Sequence, residues 1–154
     1  MGEGQGEGET KYEREKKNMS NSLYTKAKQA LIAADIDLES DTVKAVLVDG
    51  ADYTPNLSAH QYLSDIPSAG RIATSGALQN KTVTDGVFDA DDITVSSVSG
   101  DQFEYVILFK DTGVETTSRL ILLIDTATGL PCTPNGSDIT IQWSSGTDKI
   151  FRLS

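Results

Sequence analysis

One cysteine, one histidine and one tryptophan are all that 154 residues offer of the side chains on which much site chemistry is built. A lone Cys132 excludes an internal disulfide framework, and its Pro131-Cys132-Thr133-Pro134 setting supplies no partner for a metal. His60 also stands alone. Neither Leu63 nor Ser64, three and four residues on, could join it in a metal site. No apolar run approaches the roughly 18 residues of a membrane helix; the longest, Leu120 to Ile124, has the length of a strand. The N-terminus has no apolar signal region, so no secretory leader is expected. Basic residues are scarce as well: 13 Lys and Arg face 23 Asp and Glu, for a formal net charge of −10. Nucleic acids and anionic membranes call for clustered Lys and Arg, so neither is an expected partner. The expected compartment is a reducing cytoplasm, or a particle assembled in one.

What is present is a β-rich body behind an unlike leader. Residues 1 to 18 are Gly/Glu low-complexity sequence followed by almost continuous charge. They can bury no apolar face, which predicts a disordered leader. The codons of Glu13 to Asn18 can contain a purine-rich ribosome-binding sequence ahead of Met19. Translation of the native protein is therefore expected to start at Met19, with residues 19 to 154 forming one domain.

From Ser22 to Ala34 the apolar residues Leu23, Ala27, Ala30, Leu31 and Ala34 fall near one helical stripe, with Asn21 or Ser22 as cap. Thr42 to Asp49 is a strand rich in β-branched residues. Leu57 to Ile66 is predicted as a short helix ended by Pro67. Short strands follow near Arg71–Ser75, Thr82–Thr84, Gly86–Phe88, Ile93–Val98, Phe103–Asp111, Ser118–Asp125, Asp138–Trp143 and Ile150–Leu153. Asp85-Gly86, Ser99-Gly100-Asp101, Pro134-Asn135-Gly136 and Ser145-Gly146 are turn signals between them. This spacing predicts a mainly β domain: an antiparallel sandwich or a jelly-roll-like barrel, with the N-terminal helix and one short helix. Leu31, Val46, Val48, Val95, Leu108, Leu122, Ile139, Ile141 and Phe151 are its expected core.

Candidate chemistry is thin. Asp89, Asp91 and Asp92 form the densest acidic cluster but lack the glycine, spacing and distal glutamate of a calcium loop. They read as turn residues. His60 reads as a helix-surface or hydrogen-bonding structural histidine and Cys132 as a small packed or half-exposed thiol. Ser75 and Ser118 have no acid or base beside them in sequence. A carbohydrate module would use exposed aromatic platforms, whereas Trp143 ends an alternating strand and reads as core. Enzymes need converging polar groups of matched pKa. None is visible, so no catalytic residue, no metal ligand and no cofactor is expected.

Several segments carry a family resemblance. Ser22-Leu-Tyr-Thr-Lys-Ala-Lys-Gln-Ala30, Thr42-Val-Lys-Ala-Val-Leu-Val-Asp49, Lys81-Thr-Val-Thr-Asp-Gly-Val-Phe-Asp-Ala90, Asp111-Thr-Gly113, Ser118-Arg-Leu-Ile121, Ile124-Asp-Thr-Ala-Thr-Gly-Leu-Pro131, Thr133-Pro-Asn-Gly136 and Lys149-Ile-Phe151 resemble a group of small tailed-bacteriophage and prophage virion proteins. The resemblance runs from about Ser22 to Leu153 and leaves the leader outside. Cys132 departs from the apolar residue expected there. The resemblance implies a non-enzymatic structural protein of the virion. The expected role is a capsid decoration or head-fibre-type protein, homo-oligomeric and bound to the major capsid protein or other virion proteins. The alternative is a tail-associated adaptor or a receptor-binding domain that takes a glycan.

Overall fold

The computed structural model describes residues 21–153. The expected leader and the internal start at Met19 lie outside the described residues. The chain order is β1 (Ser22–Leu23), α1 (Thr25–Ile32), β2 (Val43–Val48), β3 (Arg71–Thr74), β4 (Thr82–Thr84), β5 (Val87–Asp89), β6 (Ile93–Val95), β7 (Tyr105–Lys110), β8 (Leu120–Ile124), β9 (Ile139–Ile141) and β10 (Phe151–Arg152). Strand outweighs helix by 31% to 11%, so the protein is mainly β.

Three antiparallel sheets share these strands: β1-β8-β7-β2-β3, β10-β5-β4 and β6-β9. The arrangement is sandwich-like and no sheet closes into a barrel. Val43–Lys110 through Val48–Tyr105 set the β2–β7 register, and Val106–Ile124 through Phe109–Leu120 set β7–β8. Neighbours along a strand point to opposite faces. Ala45, Val46, Ile107, Leu108, Leu122 and Leu123 are all buried, so the middle of the large sheet is covered on both faces. This explains the composition: β2 and β8 are nearly continuous apolar runs because neither face meets water. Each Leu, Ile or Val interred there contributes about 1.5–3 kcal/mol relative to exposure. The outer pair β6–β9 alternates instead. Ile93 lies opposite Ile141 and Val95 opposite Ile139, while Thr94 and Thr140 join hydroxyls at 2.8 Å on the wet face.

The β4–β5 hairpin turns on Asp85 and Gly86, both at positive φ (52° and 79°). That pair matches the right-handed twist of the flanking strands. Any side chain at Gly86 would also press on the Leu153 carbonyl, 3.1 Å from the position of a Cβ. Phe88 and Phe151, opposite each other on β5 and β10, set their rings 5.6 Å apart at a 50° tilt, and both are buried.

Several sequence expectations are corrected here. The N-terminal helix begins three residues late, because Ser22 and Leu23 pair with Leu123 and Leu122 as a sheet-edge strand. Tyr24 occupies the N-cap position in extended geometry, without a side-chain cap. Asn21 instead accepts the amides of Asp125 and Thr126 and donates to the Thr126 carbonyl. The helix from Leu57 to Ile66 does not form. Asn56 and Asp65 divert the backbone into two separate turns, and only a single 3-10 turn forms at Leu63–Asp65. Asx side chains compete with helical hydrogen bonds in this way. Of the expected core, Val46, Val48, Val95, Leu108, Leu122 and Phe151 are buried, whereas Leu31, Ile139 and Ile141 are only half-buried against it.

α1 ends in a Schellman motif. Asp35 N–H donates to the Ala30 carbonyl at 2.7 Å and Ala34 N–H to the Leu31 carbonyl at 3.3 Å. Ala34, not glycine, holds the left-handed position at φ 64°. Ile36 follows the motif into the core.

Candidate functional site

The most organised polar cluster surrounds His60. Its turn is built by reciprocal capping. The Asn56 carboxamide oxygen accepts the amides of Ser58 (3.2 Å) and Ala59 (3.1 Å). His60 Nδ1 in return accepts the Asn56 amide at 3.2 Å. A backbone amide only donates, so Nδ1 is the bare nitrogen and Nε2 carries the proton. The Tyr53 hydroxyl, 2.8 Å from the same Nδ1, is therefore a second donor. With that proton committed, the 3.0 Å bond between the Tyr53 and Tyr24 hydroxyls is donated by Tyr24. A directed chain results: Tyr24 to Tyr53 to His60.

Tertiary structure assembles this chain. Tyr24 precedes α1, whose Thr25 amide donates to the Leu57 carbonyl at 2.8 Å while Tyr24's own amide donates to Ile121 of β8. Tyr53 reaches the cluster because its amide and that of Asp52 both close on the Asp49 carbonyl. Both phenols are buried. Burial pushes the Tyr53 hydroxyl up to about 12, and burial beside Tyr53 lifts Tyr24 well above the usual phenol range. Neither is a phenolate near neutral pH, so neither is a ready base or nucleophile. Their hydroxyls serve as satisfied buried polar groups.

Beside the histidine lies a broad depression of about 490 Å³, lined by Thr25, Thr54, Pro55, Asn56, Leu57, Ser58 and His60. The next turn is held by Asp65, which accepts the amides of Gln61 (2.7 Å) and Tyr62 (2.9 Å). Burial opposes ionisation of Asp65, but those two amides and nearby His60 hold its carboxyl below the usual carboxylate range. Arg71 anchors the same loop from below through the Ile66 and Leu63 carbonyls and Glu115.

The other candidates from sequence do not join this cluster. Asp91 accepts Asn80 at 2.6 Å and Asp92 accepts the Trp143 amide at 2.9 Å. The Trp143 indole N–H donates to the Asp91 carbonyl at 2.9 Å, which ties the connection between β5 and β6 to the chain just past β9; Asp89, expected in a turn, instead ends β5 opposite Thr82. Trp143 is half-buried against the core. No group of three or more His, Cys, Asp or Glu is disposed to hold a metal among the described residues. Ser75 and Ser118 are buried, and each hydroxyl is bonded to backbone. Ser75 accepts the Ala45 amide at 2.9 Å and donates to the Gly76 carbonyl. Ser118 accepts the Thr112 amide and donates to the Val114 carbonyl. Cys132 is half-buried in an isolated bridge with Phe103. No helix among the described residues is long and apolar enough to cross a membrane.

Sequence reasoning placed His60 in a structural role but missed its partners. Tyr24, Tyr53 and His60 share no periodicity, so only the fold brings them together. Asn56 two residues before Ser58 was the legible signal of an Asx turn there.

No protein-family model matches the chain. A search of curated proteins likewise returned no match.

Proposed function

We propose that this chain is a non-enzymatic structural protein of a tailed-bacteriophage particle, a decoration protein that binds the major capsid shell as a homo-oligomer. The supporting observation is how its polar side chains are committed. His60, Ser75, Ser118 and Asp92 each bond a backbone amide or carbonyl and Asp91 bonds Asn80, so the chemistry-bearing residues serve the scaffold. A rigid acidic body of this kind works by contact. Its net charge of −10 repels nucleic acid and favours a basic or neutral protein surface. Many copies on a repeating lattice let each interface stay modest, because neighbours raise the effective concentration. Binding to the assembled shell and not to free subunits stabilises the shell by mass action.

The test is co-sedimentation of the purified full chain with shells assembled from the major capsid protein encoded in the same structural region. The expected result is saturable binding at a fixed ratio of copies per capsomer. Coated shells should also withstand higher temperature than bare ones. If the chain ignores shells and binds isolated tails or host-cell glycans, the decoration reading fails and a tail adaptor takes its place.

A further inference from the structure

We propose that His60 is a pH-sensitive latch, closed while its imidazole is neutral and opened when the ring takes a second proton. The argument rests on who donates to whom. Nδ1 accepts two hydrogen bonds, from the Asn56 amide at 3.2 Å and from the Tyr53 hydroxyl at 2.8 Å. Protonation turns that acceptor into a donor. The Asn56 amide cannot reverse and is left facing another N–H. Tyr53 can reverse only by turning its proton toward Tyr24, whose hydroxyl must then find a new acceptor. Tyr24 is fully buried, so water does not supply one. One proton therefore disturbs a chain that runs from the surface turn to the helix start.

The latch has a mechanical output. The same turn supplies the Leu57 carbonyl that accepts the Thr25 amide, the first residue of α1. Loss of the His60 contacts loosens the 54–60 turn and, through Leu57 and Tyr24, the N-terminal end of α1. Imidazole is the side chain whose charge ordinarily changes between pH 5 and 8.

The titratable groups around the ring come from three places in the fold. Tyr53 in the loop after β2, whose ring lies 5.3 Å from the imidazole, and Tyr24 behind it at the start of α1 are phenols raised by burial, and so neutral throughout this range. Asp65, in the following 3-10 turn, is the carboxylate that feels the charge of His60. Its attraction offsets part of the cost of protonation. It does not restore the two lost bonds, because a negative charge nearby leaves the Asn56 amide still facing an N–H.

The experiment uses the full chain, labelled with nitrogen-15. At pH 7.5 the His60 ring should show a bare Nδ1 and a protonated Nε2. Between pH 7.5 and 5.0 the Asn56 and Thr25 amides should exchange about tenfold faster, after correction for intrinsic exchange. Their shifts should move with the ring's own titration. His60→Asn places an amide oxygen near the position of Nδ1 and takes no proton, so it should abolish the pH step. The titration of the unaltered chain decides the matter even if that variant does not fold. A protonated Nδ1 at pH 7.5 would overturn the latch, as would Asn56 and Thr25 amides indifferent to the ring's titration, or a pH step unchanged in His60→Asn.

Discussion

Replacing Ser75 with alanine should destabilise the protein by about 2 kcal/mol, although it removes a single oxygen atom. Ser75 lies one residue past the end of β3. There it closes a last rung on β2 with two groups at once. Its amide donates to the Ala45 carbonyl at 2.8 Å, and its hydroxyl accepts the Ala45 amide at 2.9 Å. Ala45 is 0% exposed, on β2, which β7 and β3 flank in the large sheet. In the alanine variant the Ala45 amide keeps its position but has no acceptor, and no water can reach it. A stranded buried donor costs about 1–3 kcal/mol. The second bond of the hydroxyl, to the Gly76 carbonyl at 2.7 Å, adds little, because Gly76 is exposed and water replaces it. The net loss is about 2 kcal/mol, or a fall in Tm of about 6 °C for a chain of this size. Urea unfolding followed by tryptophan fluorescence should show a lower midpoint with an unchanged slope. A loss below about 0.5 kcal/mol would refute the reasoning, since it would mean that the strand end opens to water.

Three further outcomes follow from the same geometry. Ala34→Gly should raise stability by about 0.5–1 kcal/mol, because glycine holds the left-handed C′ position without the Cβ penalty and loses only part of that gain to unfolded-state entropy; a lower Tm would contradict the Schellman assignment. Tyr53→Phe should cost about 2 kcal/mol and Tyr24→Phe about 1, since only the first strands a buried hydroxyl; equal losses in thermal melts would refute the donor order. Asp111 is held below the usual carboxylate range by the Lys44 ammonium at 2.6 Å and by the Gly113 amide. Its folded form is thus the more acidic one, so the stability it contributes is present above about pH 4 and lost as pH falls through the folded value. Asp111→Asn should flatten that acid loss in urea midpoints compared between pH 7 and 3, and an identical loss in both proteins would show that the pair contributes nothing.

Much of the architecture was legible without coordinates. The apolar runs of β2 and β8, the β-branched Thr82 to Thr84, the Asp85-Gly86 turn and the alternation of Ile139 and Ile141 each state a local preference strong enough to survive folding. That is why the mainly β class and most strand positions follow from sequence. The failures have a common cause. Leu23 fits the stripe of α1 and Ser22 fits its cap, and only the edge of β8 draws them into a strand. Leu57 to Ile66 has helical spacing, but Asn56 and Asp65 offer the backbone nearer partners. Leu31, Ile139 and Ile141 are apolar and patterned for burial, yet how much of each is covered depends on what packs above it.

The polar residues divide in the same way. Sequence alone determined that histidine, cysteine and basic charge are scarce, and so which chemistries lack their materials. It read Asp89, Asp91 and Asp92 as turn residues, but Asp89 instead ends strand β5 opposite Thr82. Only the tertiary structure decided that Tyr24, Tyr53 and His60 form one directed chain, that Trp143 ties down Asp91 and Asp92, and that Ser75 completes a rung of β2. The physical reason is range. Propensity, periodicity and turn chemistry act over a few residues and leave their mark in the local sequence. A hydrogen bond between side chains 29 positions apart depends on how every element between them packs.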